Sequence, residues 1–158
     1  MHLSPSRVAD EYEWVRDRTG VVTLINRVRD ELGDAFETTV AEVTESEYRN
    51  EVDAVFANGN LAVNVAGLVA ILRELDVDGD YPGFVIDELL GRELAGMIAG
   101  NQPLRLLGEA TFHYADVMHH EDDEAAGVDD LEAALAAGFQ TRLPGWKWKE
   151  TESPFSVE

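Results

Sequence analysis

Cysteine is absent from this 158-residue chain. That excludes disulfides, thiolate nucleophiles, and cysteine-ligated zinc or iron–sulfur sites. Lysine is nearly absent: Lys147 and Lys149 stand alone, and every other base is an arginine. The longest apolar run, Leu61–Leu72, is far shorter than the roughly 20 residues a membrane helix needs, and Asn64 interrupts it. The first residues, MHLSPSRVADEYEWVRD, turn charged too early for a secretion signal. The expectation is a soluble, cytoplasmic protein. The sequence has no Gly-x-Ser-x-Gly elbow, phosphate-cradling glycine loop, His-Glu-x-x-His, or Glu-x-x-His pair of the di-iron bundles. No catalytic set is recognised.

What the chain has in excess is acid. Asp and Glu number 32 against 12 Lys plus Arg, a formal net charge of -20. Such a surface repels itself at low ionic strength, and salt screens that repulsion. The balance resembles that of proteins from a salt-rich cytoplasm. It lowers the weight of any single carboxylate as a catalytic signal. It also disfavours nucleic acid, because neutralising phosphates needs a basic stripe. Arg16, Arg18, Arg27 and Arg29 form the densest basic set, and Asp17 and Asp30 are interleaved with them.

With 45% hydrophobic residues the chain can build a full core. Its length suits one domain. Ser4-Pro5 opens a helix carrying Val8, Tyr12 and Val15, which Gly20 ends. Val21, Ile25, Val28, Leu32 and Phe36 make the apolar stripe of a second helix. Residues 37–43 read either as its continuation or as a short strand. Thr44 and Glu47 form a capping box, and Tyr48, Val52 and Val55 supply the buried face behind it. Asn60 caps a helix from Leu61 to Leu75 that is apolar nearly all round, the profile of a central helix. Asn64 within it is expected to hydrogen-bond across the bundle or to touch a ligand.

Phe84–Ala99 forms the next helix, with Ile86, Leu90, Leu94 and Met97 on its core side. Gly91 and Gly96 either permit close helix contact or are tolerated losses. Leu104–His120 follows Pro103, with Leu107, Ala110, Thr111, Tyr114, Val117 and Met118 on one side. Asp129 to Glu132 gives a second capping box before the short helix LEAALAAG, ended by Gly138. The expected architecture is all-α: a single-domain irregular bundle of six or seven helices over residues 1–142. Residues 143–158 form an extended tail, in which Trp146 and Trp148 share a side.

Three groups of residues are candidates for chemistry. DVDGDYPGFVIDE begins like an EF-hand loop, offering Asp76, Asp78, Asp80 and Asp87 at positions one, three, five and twelve. Tyr81 stands where that loop needs glycine, and Glu88 is one residue late, so an acidic helix connector is the alternative. Glu109, His113, Asp116 and His120 recur at one-turn spacing on one helix face and could ligate a divalent metal. The competing reading is a polar surface. Trp146 and Trp148 either cap the core or anchor a partner.

Three functions follow. The first is a non-catalytic helical interaction or assembly module, forming a homodimer or binding a protein partner in a salt-rich cytoplasm. The second is a small helical metalloprotein or metal-dependent enzyme using the His/carboxylate face. The third is a regulator associated with nucleic acid.

Overall fold

The computed structural model describes residues 2–75, 81–119 and 126–146. The described residues form seven helices and no strand: α1 (Pro5–Asp17), α2 (Gly20–Ala35), α3 (Glu45–Ala57), α4 (Gly59–Glu74), α5 (Tyr81–Ala99), α6 (Leu104–His119) and α7 (Ala126–Arg142). The all-α single-domain bundle is as the sequence indicates. Among the described residues no single helix is long and apolar enough to cross a membrane; only α3 and α4 taken together, bent by 111° at their junction, reach that length and composition.

Local chemistry sets the starts of the early helices. The Ser4 side chain accepts from the Arg7 amide, and Pro5 occupies the first turn of α1, where its missing N–H costs nothing. Thr44 and Glu47 form the expected capping box on α3. Asn58, rather than Asn60, caps α4. Residues 37–43 are neither helix nor strand. Asn26 of α2 holds this segment by bonding both the N–H and the C=O of Val43.

The central element is α7, not α4. Every residue from Asp129 to Thr141 is buried, and α7 packs against α2, α3, α4, α5 and α6. The sequence reads α4 as central because it is apolar nearly all round, yet Val63 and Asn64 face solvent. Exposed Asn64 therefore does not bond across the bundle. Alanine lets α7 take the middle: Ala133, Ala134, Ala136 and Ala137 let neighbours approach from every side. At Gly138 the approach is closest. An added Cβ there would lie 2.8 Å from Ile98 Cβ and 2.9 Å from the Ala95 carbonyl oxygen. Gly138 is thus an interior contact, and α7 runs through it to Arg142. The helix also starts before Asp129, so the second capping box does not form.

Two buried polar groups tie the layers together. The Tyr48 hydroxyl donates to the Val15 carbonyl at 2.7 Å, and its ring meets Phe139 edge-on with centroids 5.4 Å apart. Arg29 is buried beneath the end of α7 and donates to the carbonyls of Ala41, Gln140, Leu143 and Pro144. The last carbonyls of a helix have no intrahelical partner, and Arg29 takes up that role here.

Candidate functional site

α5 and α6 form a hairpin closed by residues 100–103, and both lie against α7. At Gly91 an added Cβ would come within 2.7 Å of the Phe112 ring and 3.4 Å of the Asp130 carbonyl oxygen, so the ring of α6 and the backbone of α7 both lie against α5 there. One α-turn toward the open end of the hairpin, Asp87 is fully buried and both of its carboxylate oxygens lack a hydrogen-bond partner. Asp116 of α6 has a buried, unpartnered Oδ1. Asp130 of α7 is also buried, its carbonyl oxygen 3.4 Å from the Cβ position of Gly91, and Asp129 precedes it in α7. Three helices therefore deliver carboxyl groups to one dry junction.

Burial, reinforced by the charge of Asp116, pushes the Asp87 carboxyl up to about 6. Burial, followed by the neighbouring Asp116 carboxyl, raises Asp130 to about 8, with Asp87 and Asp129 adding to the effect. The described charges that raise Asp87 and Asp130 are acids, which favours their neutral forms. Among the described residues no group of three or more His, Asp or Glu is arranged to hold a metal ion.

Among the described residues the expected metal face shows no converged group. Glu109 lies along Gly96 and pairs with Arg105 at 3.4 Å. His113 faces solvent, and Asp116 has a buried Oδ1. His120 lies outside the described residues, as do Asp76, Asp78, Asp80, Trp148 and residues 147–158 of the tail. Asp87, the fourth residue of the calcium-loop reading, sits in the α5–α6–α7 junction. Trp146 is buried against the core, its Nε1 donating to Gln140, and so presents no exposed anchor.

α6 is also turned relative to the expectation. Its buried residues are Gly108, Thr111, Phe112 and Ala115. Tyr114 and Val117, expected inside, are 52% and 56% exposed, and Leu106 is 60% exposed. With Ala110 and His113 they form an outward stripe along the whole helix, and none of these five residues is acidic. On α5, Ile86 likewise faces out rather than into the core, together with Val85 and Leu89. At the end of α2, Phe36 leaves its stripe and is exposed.

The chain matches the family described as Domain of unknown function (DUF7984) over residues 1–158. It belongs to that family. No curated protein and no solved structure matches it.

Away from the junction, a cleft of about 580 Å³ between α1 and the end of α4 is walled by Arg7, Glu11, Trp14, Arg73 and Glu74. Asp10, Glu13 and Asp17 also line it, and its two arginines are held by Glu11 and Glu74. Glu11 is fully buried and accepts from Arg7 at 2.8 Å and Arg73 at 2.7 Å. The Trp14 ring lies under the guanidinium groups of Arg18 at 4.0 Å and Arg73 at 4.8 Å. These contacts brace α1 against α4, and the cleft carries more acids than bases.

Proposed function

We propose that the protein is a non-catalytic assembly module that pairs with a second copy of itself through the outer face of α6. The observation that carries this reading is the Leu106–Ala110–Tyr114–Val117 stripe, exposed in a chain with 32 acids. The two acids of α6, Glu109 and Asp116, are turned toward α5 and α7. A two-fold contact sets the same patch against itself, so any net charge in it would be doubled at the interface. The outer face of α6 avoids that cost, whereas a chain of net charge -20 repels its copies almost everywhere else. The stripe covers about 16 Å at 1.5 Å per residue, long enough for two helices to cross.

This reading carries a salt signature. At about 1 M salt the screening length falls to roughly 3 Å, suppressing repulsion between the acidic surfaces while leaving the apolar contact in place. Assembly should therefore strengthen as salt rises, as suits a salt-rich cytoplasm. The described arginines offer little to nucleic acid: Arg7, Arg16, Arg18, Arg73, Arg92, Arg105 and Arg142 each pair with a carboxylate. Sedimentation equilibrium over a range of protein concentration and salt tests the proposal. A dimer that tightens with salt supports it, and a monomer at every concentration and salt sinks it.

A further inference from the structure

We propose that Asp87, Asp116 and Asp130 form a proton-binding site that holds the open end of the α5–α6 hairpin against α7. The junction tightens when it takes up a proton and loosens when it loses one.

Packing points to the proton. The Gly91 Cβ position lies 2.7 Å from the Phe112 ring and 3.4 Å from the Asp130 carbonyl oxygen, and Asp87 and Asp116 each lie one turn from that contact toward the open end of the hairpin. Asp116 Oδ1 is buried without a partner. Asp87 is fully buried, and neither of its oxygens has a donor. A carboxylate only accepts hydrogen bonds, so carboxyl groups brought together here have no donor unless a proton supplies one. An ionised carboxylate stripped of water and given no donor is costly, and protonation removes most of that cost. No metal-holding arrangement exists among the described residues. The ligand this junction accepts is therefore a proton.

Among the described residues, the arginines of the surrounding elements are engaged elsewhere. From α5 comes Asp87, from α6 Asp116, and from α7 Asp129 and Asp130. On α2, Arg27 bonds to the Met118 carbonyl. Arg18, just before α2, meets Glu132 of α7. On α4, Arg73 is held by Glu11. On α5, Glu88 and Arg92 pair with each other. Residues 120–125, which join α6 to α7, lie outside the described residues.

Both shifts act in the same direction. The ordinary aspartate value is 3.8, and burial together with neighbouring acids moves Asp87 to about 6 and Asp130 to about 8. A carboxyl whose folded pKa is raised contributes its stability fully below the unfolded value, and that contribution is lost as pH rises through the folded one. The junction is thus fully braced below pH 3.8. It loses the Asp87 contribution by about 6 and the Asp130 contribution by about 8. For each proton the folding constant falls roughly tenfold per pH unit within its window. Surface repulsion has the same sign but follows carboxyls of ordinary pKa, and salt screens it.

Carbon-13 carboxyl titration of the full chain, in about 1 M salt where surface repulsion is suppressed, tests the proposal. Two aspartate carboxyls should titrate above the ordinary range, and Asp130→Asn should remove the upper one. In the same salt the melting temperature of the native chain should fall between pH 6 and 8, while Asp130→Asn flattens that fall. The proposal is overturned if every aspartate titrates in the ordinary range, or if Asp130→Asn keeps the native pH slope. Should Asp130→Asn not fold, the carboxyl titration of the unsubstituted chain decides alone.

Discussion

Arg29 donates a 2.8 Å hydrogen bond to the Gln140 carbonyl, joining α2 to the last turn of α7 in the core. The same guanidinium reaches the carbonyls of Leu143, Pro144 and Ala41, and Trp146 packs over it at 5.7 Å. Burial lowers the Arg29 pKa to about 10, so the group stays charged at neutral pH. Arg29→Met removes every one of these donors and leaves buried carbonyls unsatisfied. The expected loss is about 3–5 kcal/mol, read as a lower denaturant midpoint. Arg29→Lys should recover only part of it, because one ammonium cannot span the fork.

Gly138 is fixed by contact. With Ile98 Cβ and the Ala95 carbonyl under 3 Å from where a Cβ would sit, Gly138→Ala forces α5 and α7 apart. A loss of about 1–3 kcal/mol is expected. Gly20→Ala is the control, since nothing lies within 4 Å of its Cβ position. It should be neutral or stabilising by about 0.4–1 kcal/mol. Thermal melts of the two variants give the comparison.

The ion pairs should differ sharply in worth. Glu11 is fully buried and held by two arginines, so Glu11→Ala should cost about 3 kcal/mol. Glu88 and Arg92 form an exposed one-turn pair, and Glu88→Ala should cost less than about 0.5 kcal/mol. Urea denaturation of both variants at low and high salt checks this. Only the exposed pair should fade with salt.

Thr44 gives a cleaner local test. Its hydroxyl accepts from the Glu47 amide, and the Glu47 carboxylate returns to the Thr44 amide. Thr44→Ala should cost about 1 kcal/mol. Hydrogen exchange should show the loss concentrated in the first turn of α3.

The parts of this fold that were legible are those written in local chemistry. Ser4-Pro5 and the Thr44–Glu47 box state their helix starts through residues next to each other in sequence. The orientation of α6 is a tertiary matter. Leu107, Tyr114 and Met118 compete with Gly108, Phe112 and Ala115 for the inside, and both series contain apolar residues. The second wins because Gly108 and Gly91 let α5 and α6 close around the Phe112 ring. α7 was underrated because alanine reads as weakly hydrophobic, although small side chains are what a helix surrounded on every side requires. The carboxyl junction is hidden by abundance, since Asp87, Asp116, Asp129 and Asp130 do not stand out among 32 acids. The available signal was Asp129-Asp130 at the head of the alanine-rich run LEAALAAG, where a solvated acid pair is out of place.

The proposed pairing depends on which face of the molecule meets its copy. The most direct test is the solution mass at high salt of Leu106→Glu/Val117→Glu, set against Val63→Glu, which places the same charge on the exposed side of α4. The α6 variant is expected to sediment at the 17.4 kDa chain mass, while Val63→Glu and the unsubstituted chain sediment at twice that value. A folded α6 variant that keeps the mass of the unsubstituted chain would contradict the pairing.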